Sequence, residues 1–331
     1  MKIDSVGIIG GGAWGTGLAQ TLRRTGRDVL IWAREPAVAQ EINAKHSNSV
    51  FLPGVPLDPA VRATDTLTDA ASCDVLLMVA PAQHVRAVSE GLKSDLRSGQ
   101  PIVLCAKGIE QRSGKLMGDV IAEVLPEATQ AVLSGPSFAA EVARGLPAAL
   151  TIACADEQLG RLLAERLSNR QFRLYWTSDL VGVELGGSLK NVLAIAAGIV
   201  DGQGLGASAH AALVTRGFAE LRRFGEALGA RPETLIGLSG LGDLILTCGS
   251  VQSRNMSLGR ALGQGQSLDD VLGGRTAVTE GVYTAAAVQG IAAEKGIDMP
   301  ICSAVCDILD GRASVPDAIA HLMQRPLKAE D

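Results

Sequence analysis

The run Val6-Gly7-Ile8-Ile9-Gly10-Gly11-Gly12-Ala13-Trp14-Gly15 carries an apolar strand straight into a glycine cluster. Gly10, Gly12 and Gly15 keep the G-x-G-x-x-G spacing, and an amphipathic stretch follows through Leu18, Ala19 and Leu22. Each glycine has its own task in a strand-turn-helix unit that takes a dinucleotide. The first makes the turn, the second lets the backbone approach a pyrophosphate, and the third lets the helix close on the strand. The helix start adds free N–H groups and a positive dipole end for the phosphates. Glycine clusters also mark ordinary turns, so the strand before and the helix after carry the reading. They predict a Rossmann domain at the N-terminus.

The rest of the chain is of a size and composition to match. At 331 residues it exceeds the length at which single cores stop growing, which predicts two domains. Apolar residues make up 47% and charged residues 20%, a globular balance. A formal charge of −5 speaks against a nucleic-acid surface and leaves any basic pocket local. No uninterrupted apolar run reaches the ~18 residues of a membrane span. Lys2 is followed by Asp4 and the glycine turn rather than by a signal-peptide pattern. The six cysteines form no C-x-x-C pair, and there are only four histidines. Cys302 and Cys306 share a helical face, but a metal needs further ligands, so no metal site is expected. We expect reduced thiols and a cytoplasmic protein.

Strand and helix patterns alternate through the first half: 28–33, 73–80, 101–106, 131–134 and 148–153 read as strands after the first. This alternation predicts a parallel sheet covered on both faces. A last strand-like run, Phe172 to Trp176, ends at Thr177-Ser178-Asp179, a good helix N-cap. Beyond it the pattern is helical: 181–199, 210–228, 257–262, 284–295, 301–309 and 315–323. The expected organisation is therefore a Rossmann domain over 1–179 and an all-helical domain over 180–331. The small and apolar residues of the helical half also lead us to expect a homodimer, although a helical core has the same composition.

Three local patterns point to chemistry. Arg34 closes the second strand where an NAD-preferring fold has an acid for the ribose 2′-OH, and arginine suits a 2′-phosphate. This favours NADPH. Glu35 follows, which leaves NAD open, and a solvated surface arginine would look the same. Lys190 lies in Gly186-Gly187-Ser188-Leu189-Lys190-Asn191-Val192-Leu193-Ala194, with only small or apolar helical neighbours and no other cation on its helix. A lysine stripped of water there is suited to proton transfer; a snorkelling lysine at a domain interface is the bland alternative. Gly186 and Gly187 in mid-helix imply that something approaches the backbone closely. Asn191 beside Lys190 suits a substrate oxygen.

The third pattern is Ser239-Gly240-Leu241-Gly242-Asp243, with Thr247 one turn later and the donor-rich Ser253-Arg254-Asn255 beyond, a run suited to phosphate. Asp243 would serve equally as a helix cap. Lys107 follows one strand and Ser134-Gly135-Pro136-Ser137-Phe138-Ala139 follows the next, at the strand ends where open α/β sheets place ligands. Cations and hydroxyls thus converge on a small anionic substrate.

Together these segments resemble bacterial NAD(P)-dependent glycerol-3-phosphate dehydrogenase. The matching runs are the glycine turn through Thr16, Phe51-Leu52-Pro53-Gly54, Lys107-Gly108, 134–139, 186–191, 240–244, Gln252-Ser253-Arg254-Asn255 and Val278-Thr279-Glu280-Gly281. The resemblance implies reversible reduction of dihydroxyacetone phosphate to sn-glycerol 3-phosphate, the backbone precursor of phospholipids. It implies Lys190 as proton donor or acceptor. It implies substrate contacts at Lys107, Gly135, Ser137, Asp243, Ser253, Arg254 and Asn255. It implies a cofactor lining of Trp14, Arg34, Lys107, Ala139, Arg254, Val278 and Glu280. Our reading adds Asp243 as the group that orients Lys190. Gly11 and Ala13 depart from the family's usual Ala and Ser, a change confined to the turn. Two other readings stay open. A β-hydroxyacid dehydrogenase shares the architecture but has its asparagine four residues after the lysine, where Ala194 stands here. A non-catalytic NADP sensor on the same fold would bind cofactor without turnover.

Overall fold

The computed structural model describes residues 2–274 and 278–326. Eight strands, β1 Ser5–Ile9, β2 Asp28–Trp32, β3 Arg62–Thr64, β4 Val75–Met78, β5 Pro101–Leu104, β6 Thr129–Ser134, β7 Ala148–Cys154 and β8 Phe172–Thr177, form one sheet in the order β3-β2-β1-β4-β5-β6-β7-β8. The helices of this half are α1 Ala13–Arg23, α2 Pro36–Lys45, α3 Leu67–Ala71, α4 Val85–Leu92, α5 Met117–Val124, α6 Ala139–Arg144 and α7 Glu157–Leu167. Successive strand residues point to opposite faces. Ile8, Ile31 and Leu77 accordingly pack under α1, α2 and α7, while Leu76, Met78 and Leu104 pack under α3, α4 and α5.

The sheet is mixed, which corrects the expectation of a parallel one: β7 runs antiparallel to β6, with Ser134 opposite Thr151, and β8 is parallel to β7. The cause lies in the connection. After β6 the chain enters α6, which is held against α1: Gly17 meets Ala139, and the Arg24 guanidinium donates to the carbonyls of Val142 and Ala143. Since α1 starts at the carboxyl end of β1, the chain stays at that end of the sheet and re-enters from there. β3 went unread because three residues show no periodicity.

Residues after 179 form α8 Leu180–Gly202, α9 Gly206–Ala227, α10 Pro232–Leu235, α11 Asp243–Cys248, α12 Arg254–Gly263, α13 Leu268–Gly273, α14 Glu280–Lys295, α15 Pro300–Leu309 and α16 Val315–Met323. Asp179 caps α8 as read from the sequence, accepting the Gly182 N–H at 2.9 Å. Every α8 residue from Gly182 to Val200 is buried. It is the one helix among the described residues long and apolar enough to cross a membrane, and it is the core of the helical half instead. Gly198 and Gly202 on α8 face Gly259 and Gly263 on α12, with no room for a side chain at any of the four. The two backbones therefore touch, and α12 is fixed against the helix that carries Lys190.

Candidate active site

At the carboxyl edge of the sheet, Gly10 adopts φ 134°, and a side chain at Gly15 would strike the Gly10 carbonyl. Gly12, the N-cap residue of α1, has nothing within 4 Å of the place a Cβ would take. The turn is thus tightly closed on its inner side and open on the side a pyrophosphate would use. Trp14 is packed against the core beside it, with its indole N–H buried and unpartnered. These features fit a dinucleotide. Arg34 stands apart from the rest, exposed and bonded to Glu35 through Nη2 at 2.9 Å.

The helical half brings its own groups to the same edge. Lys190 Nζ lies 2.5 Å from Asp243 Oδ1 and donates to Thr247 Oγ1 at 2.9 Å. Lys107 Nζ takes the other carboxylate oxygen at 2.7 Å and the Gly135 carbonyl at 3.2 Å. Asp243 is fully buried and Lys190 is 7% exposed. Asp243 does not cap a helix: it is the first residue of α11, and both its oxygens are spent on lysines. Burial brings the Lys190 ammonium down to about 8; Asp243 opposes that fall and the Lys107 charge assists it.

The glycines in mid-α8 explain how the cluster closes. A methyl group at Gly186 would lie 2.6 Å from the Ser239 carbonyl oxygen, and one at Gly187 would lie 2.5 Å from Ser134 Oγ. The π-helical turn Leu238–Gly242 therefore lies directly on α8 and delivers Asp243 to Lys190.

Of the remaining expected residues, Ser137, Asn191 and Asn255 are tied to this triad by hydrogen bonds that run through the Gly135 and Lys107 carbonyls. Ser137 Oγ donates to the Gly135 carbonyl at 3.1 Å. Asn191 Nδ2 donates to the Lys107 carbonyl at 3.0 Å and its Oδ1 accepts from Asn255 Nδ2 at 2.9 Å; Asn255 Oδ1 in turn accepts the Gly281 N–H at 3.0 Å. Ser253 caps α12, which starts at Arg254. Glu280 opens α14, and one of its oxygens accepts the Ala82 N–H at 3.0 Å while the other is buried without a partner. Burial raises the Glu280 carboxyl, and the same burial lowers the nearby Arg254 guanidinium. Ala139 opens α6, and Val278 precedes α14, partly buried.

Sequence reasoning passed over Glu184. It is buried on α8, accepts the Gly118 N–H at the start of α5 at 2.8 Å, and burial lifts its carboxyl to about 8. It is the only acid between Leu180 and Val200, and that isolation was the available signal. All six cysteines are free and buried. Among the described residues no group of three or more His, Cys, Asp or Glu is arranged to hold a metal.

A dinucleotide turn at one edge of a doubly covered sheet, facing a buried lysine on a helical second half, defines a two-part nicotinamide-dependent oxidoreductase. The family models for the NAD-dependent glycerol-3-phosphate dehydrogenase N-terminus and C-terminus match residues 5–160 and 179–320. The chain belongs to this family and is an oxidoreductase. It is 58% identical over 329 residues to the glycerol-3-phosphate dehydrogenase [NAD(P)+] of Maricaulis maris, covering 99% of each chain. The enzyme of that name from Caulobacter vibrioides is 57% identical, with 100% of each chain covered. Among solved structures, glycerol-3-phosphate dehydrogenase from Coxiella burnetii superposes with a TM-score of 0.93 at 37% identity, over 98% of this chain and 99% of that one.

Proposed function

We propose that this chain reduces dihydroxyacetone phosphate reversibly to sn-glycerol 3-phosphate, a precursor of phospholipids, with Lys190 as the proton donor. The observation that carries the reading is Asp243, fully buried, held between the buried Lys190 and the partly buried Lys107, with Thr247 beside them. We further assign residues 1–179 to the cofactor and 180–331 to the substrate, with NADPH favoured over NADH through Arg34.

Bound nicotinamide supplies the hydride. Everything else belongs to the protein. Lys190 gives its proton to the oxygen that becomes the alcohol, and a value of about 8 suits a donor that must also take the proton back. Asp243 aims the ammonium and offsets its charge. Lys107, held on the same carboxylate, brings a second positive charge toward a developing alkoxide. Ser253, Arg254 and Asn255 at the start of α12 hold the phosphate, with Ser137 and the Gly135 segment opposite. Asn191 and Asn255 link this grip to the Lys107 loop. Trp14, Ala139, Val278 and Glu280 line the cofactor. Phosphate binding at a distance from the reacting carbon would serve to place that carbon.

A cytoplasmic location accords with six free, buried thiols. A homodimer accords with the start of α9, where residues 206–216, small and apolar for the most part, include none that is buried. The test of function is oxidation of NADPH by purified protein with dihydroxyacetone phosphate, run beside NADH and beside unphosphorylated dihydroxyacetone. Turnover with the phosphorylated ketone alone supports the reading. Cofactor binding without turnover refutes it.

A further inference from the structure

The glycine turn consists of three consecutive glycines, so no side chain of its own restrains Gly10-Gly11-Gly12. The shorter of two hydrogen bonds to the Gly11 carbonyl comes from 37 residues away. Asn48 is 1% exposed, and its Nδ2 donates to the Gly11 carbonyl at 2.9 Å and to Thr16 Oγ1 at 2.8 Å. Its Oδ1 accepts the Phe51 N–H at 3.1 Å. The backbone of the same residue pairs with Leu52, which packs with Val55 against Ala143, Ala139 and Ala13. One amide therefore joins the turn, the first turn of α1 and the 46–55 loop.

The consequence follows from peptide geometry. In a trans peptide the C=O and N–H point in opposite directions, and the chain has no cis bond among the described residues. Holding the Gly11 carbonyl inward on Asn48 and on Thr16 Oγ1, which donates to it at 3.4 Å, turns the Gly12 N–H outward, toward the open side of the turn. Were this peptide to flip, which two glycines permit, a carbonyl oxygen would face the anion in place of a donor.

We propose that Asn48 is a positioning residue for pyrophosphate recognition, fixing the Gly11–Gly12 peptide in the donor-outward orientation. This rests on the cofactor assignment made above. Asn48 needs no contact with the cofactor to act.

The test is calorimetric titration of the full chain with ADP, AMP, NADH and NADPH, alongside thermal melts and steady-state kinetics. Asn48→Ala is expected to weaken ADP, NADH and NADPH by about tenfold, with AMP, which lacks the second phosphate, little changed. The kinetic loss falls on the KM for cofactor rather than on kcat. Asn48→Asp keeps the Phe51 contact but sets lone pairs against the Gly11 carbonyl, and loses at least as much. Thr16→Val, which preserves shape, shows the same selectivity to a smaller degree and decides the matter if the Asn48 variants do not fold. Unchanged ADP affinity in a folded variant would overturn the proposal, as would equal losses for AMP and ADP, the mark of general loosening. A wild-type protein that binds none of the four overturns the cofactor assignment itself.

Discussion

Lys190 and Asp243 stand 53 positions apart in sequence, yet their charged atoms are 2.5 Å apart and both residues are buried. Asp243 also holds Lys107, so the carboxylate keeps a cationic partner when either lysine is removed. Losing one partner of an isolated buried pair costs about 3–5 kcal/mol. Here the third member softens that loss.

Lys190→Met should therefore fold and bind NADPH while turnover falls by about 10²–10⁴. Calorimetry with NADPH and single-turnover kinetics check the two halves of the statement. A near-normal kcat would remove Lys190 from the chemistry.

The lowered Lys190 value sets opposite pH profiles for the two directions. Ketone reduction needs the ammonium, so its kcat/KM should fall as pH rises through about 8; alcohol oxidation needs the free amine and its kcat/KM should rise through the same value. Steady-state measurement of both directions between pH 6 and 10, with the phosphorylated substrate well below its KM, gives the comparison. Parallel profiles would contradict a shared Lys190 proton.

Gly186→Ala tests the contact between α8 and the 238–242 turn. Helix propensity alone would favour alanine by about 1 kcal/mol. The added methyl meets the Ser239 carbonyl and the Gly240 Cα, and overpacking of this kind costs about 1–3 kcal/mol. We expect a net loss of stability in urea melts and a drop in kcat, because the displaced turn carries Asp243. A stabilised, fully active variant would show that the turn can give way.

Arg34→Ala should lower kcat/KM for NADPH by about 10- to 100-fold, the range for a charged hydrogen bond, and leave NADH little affected. Only the ratio of the two cofactors matters here; an unchanged ratio removes Arg34 from 2′-phosphate recognition.

Glu220 gives a pH effect on stability away from the site. It is buried on α9, accepts the Ile301 and Cys302 N–H groups at the start of α15, and burial raises its carboxyl to about 7. Between the ordinary carboxyl value of 4.5 and about 7 the folded state keeps a proton the unfolded chain has released. Stability from this group is thus fullest below that window and falls as pH rises through it. Subtracting the pH dependence of Glu220→Gln unfolding from that of the wild type should reveal this decline, and a flat difference would contradict it.

The parts of this architecture that could be read from the chain were those with a local signature. The glycine turn announces itself by spacing, and Lys190 by having only small or apolar residues one helical turn away on either side. The glycines at 186 and 187 correctly signalled a close approach, but not by what. That required knowing that the 238–242 turn returns to α8, a tertiary fact. The short helices α10, α11 and α13 passed unread because so few residues carry no period, and Asp243 consequently looked like a cap. The reversal at β7 is set by α6 binding α1, a packing choice without a pattern in either segment. Asn48 is one polar residue in an ordinary-looking loop, and only its burial marks it.

The bare-backbone seam between α8 and α12 gives the helical half a further property. Gly198 and Gly202 pressed on Gly259 and Gly263 bring the two helix backbones into direct contact at four points. Lys190 rides on one and Arg254 on the other, so their separation is a fixed span. On the assignment proposed above, the protein works as a calliper: it selects a ketone by the length of chain between the phosphate and the carbonyl, because neither jaw can move to accommodate a longer one.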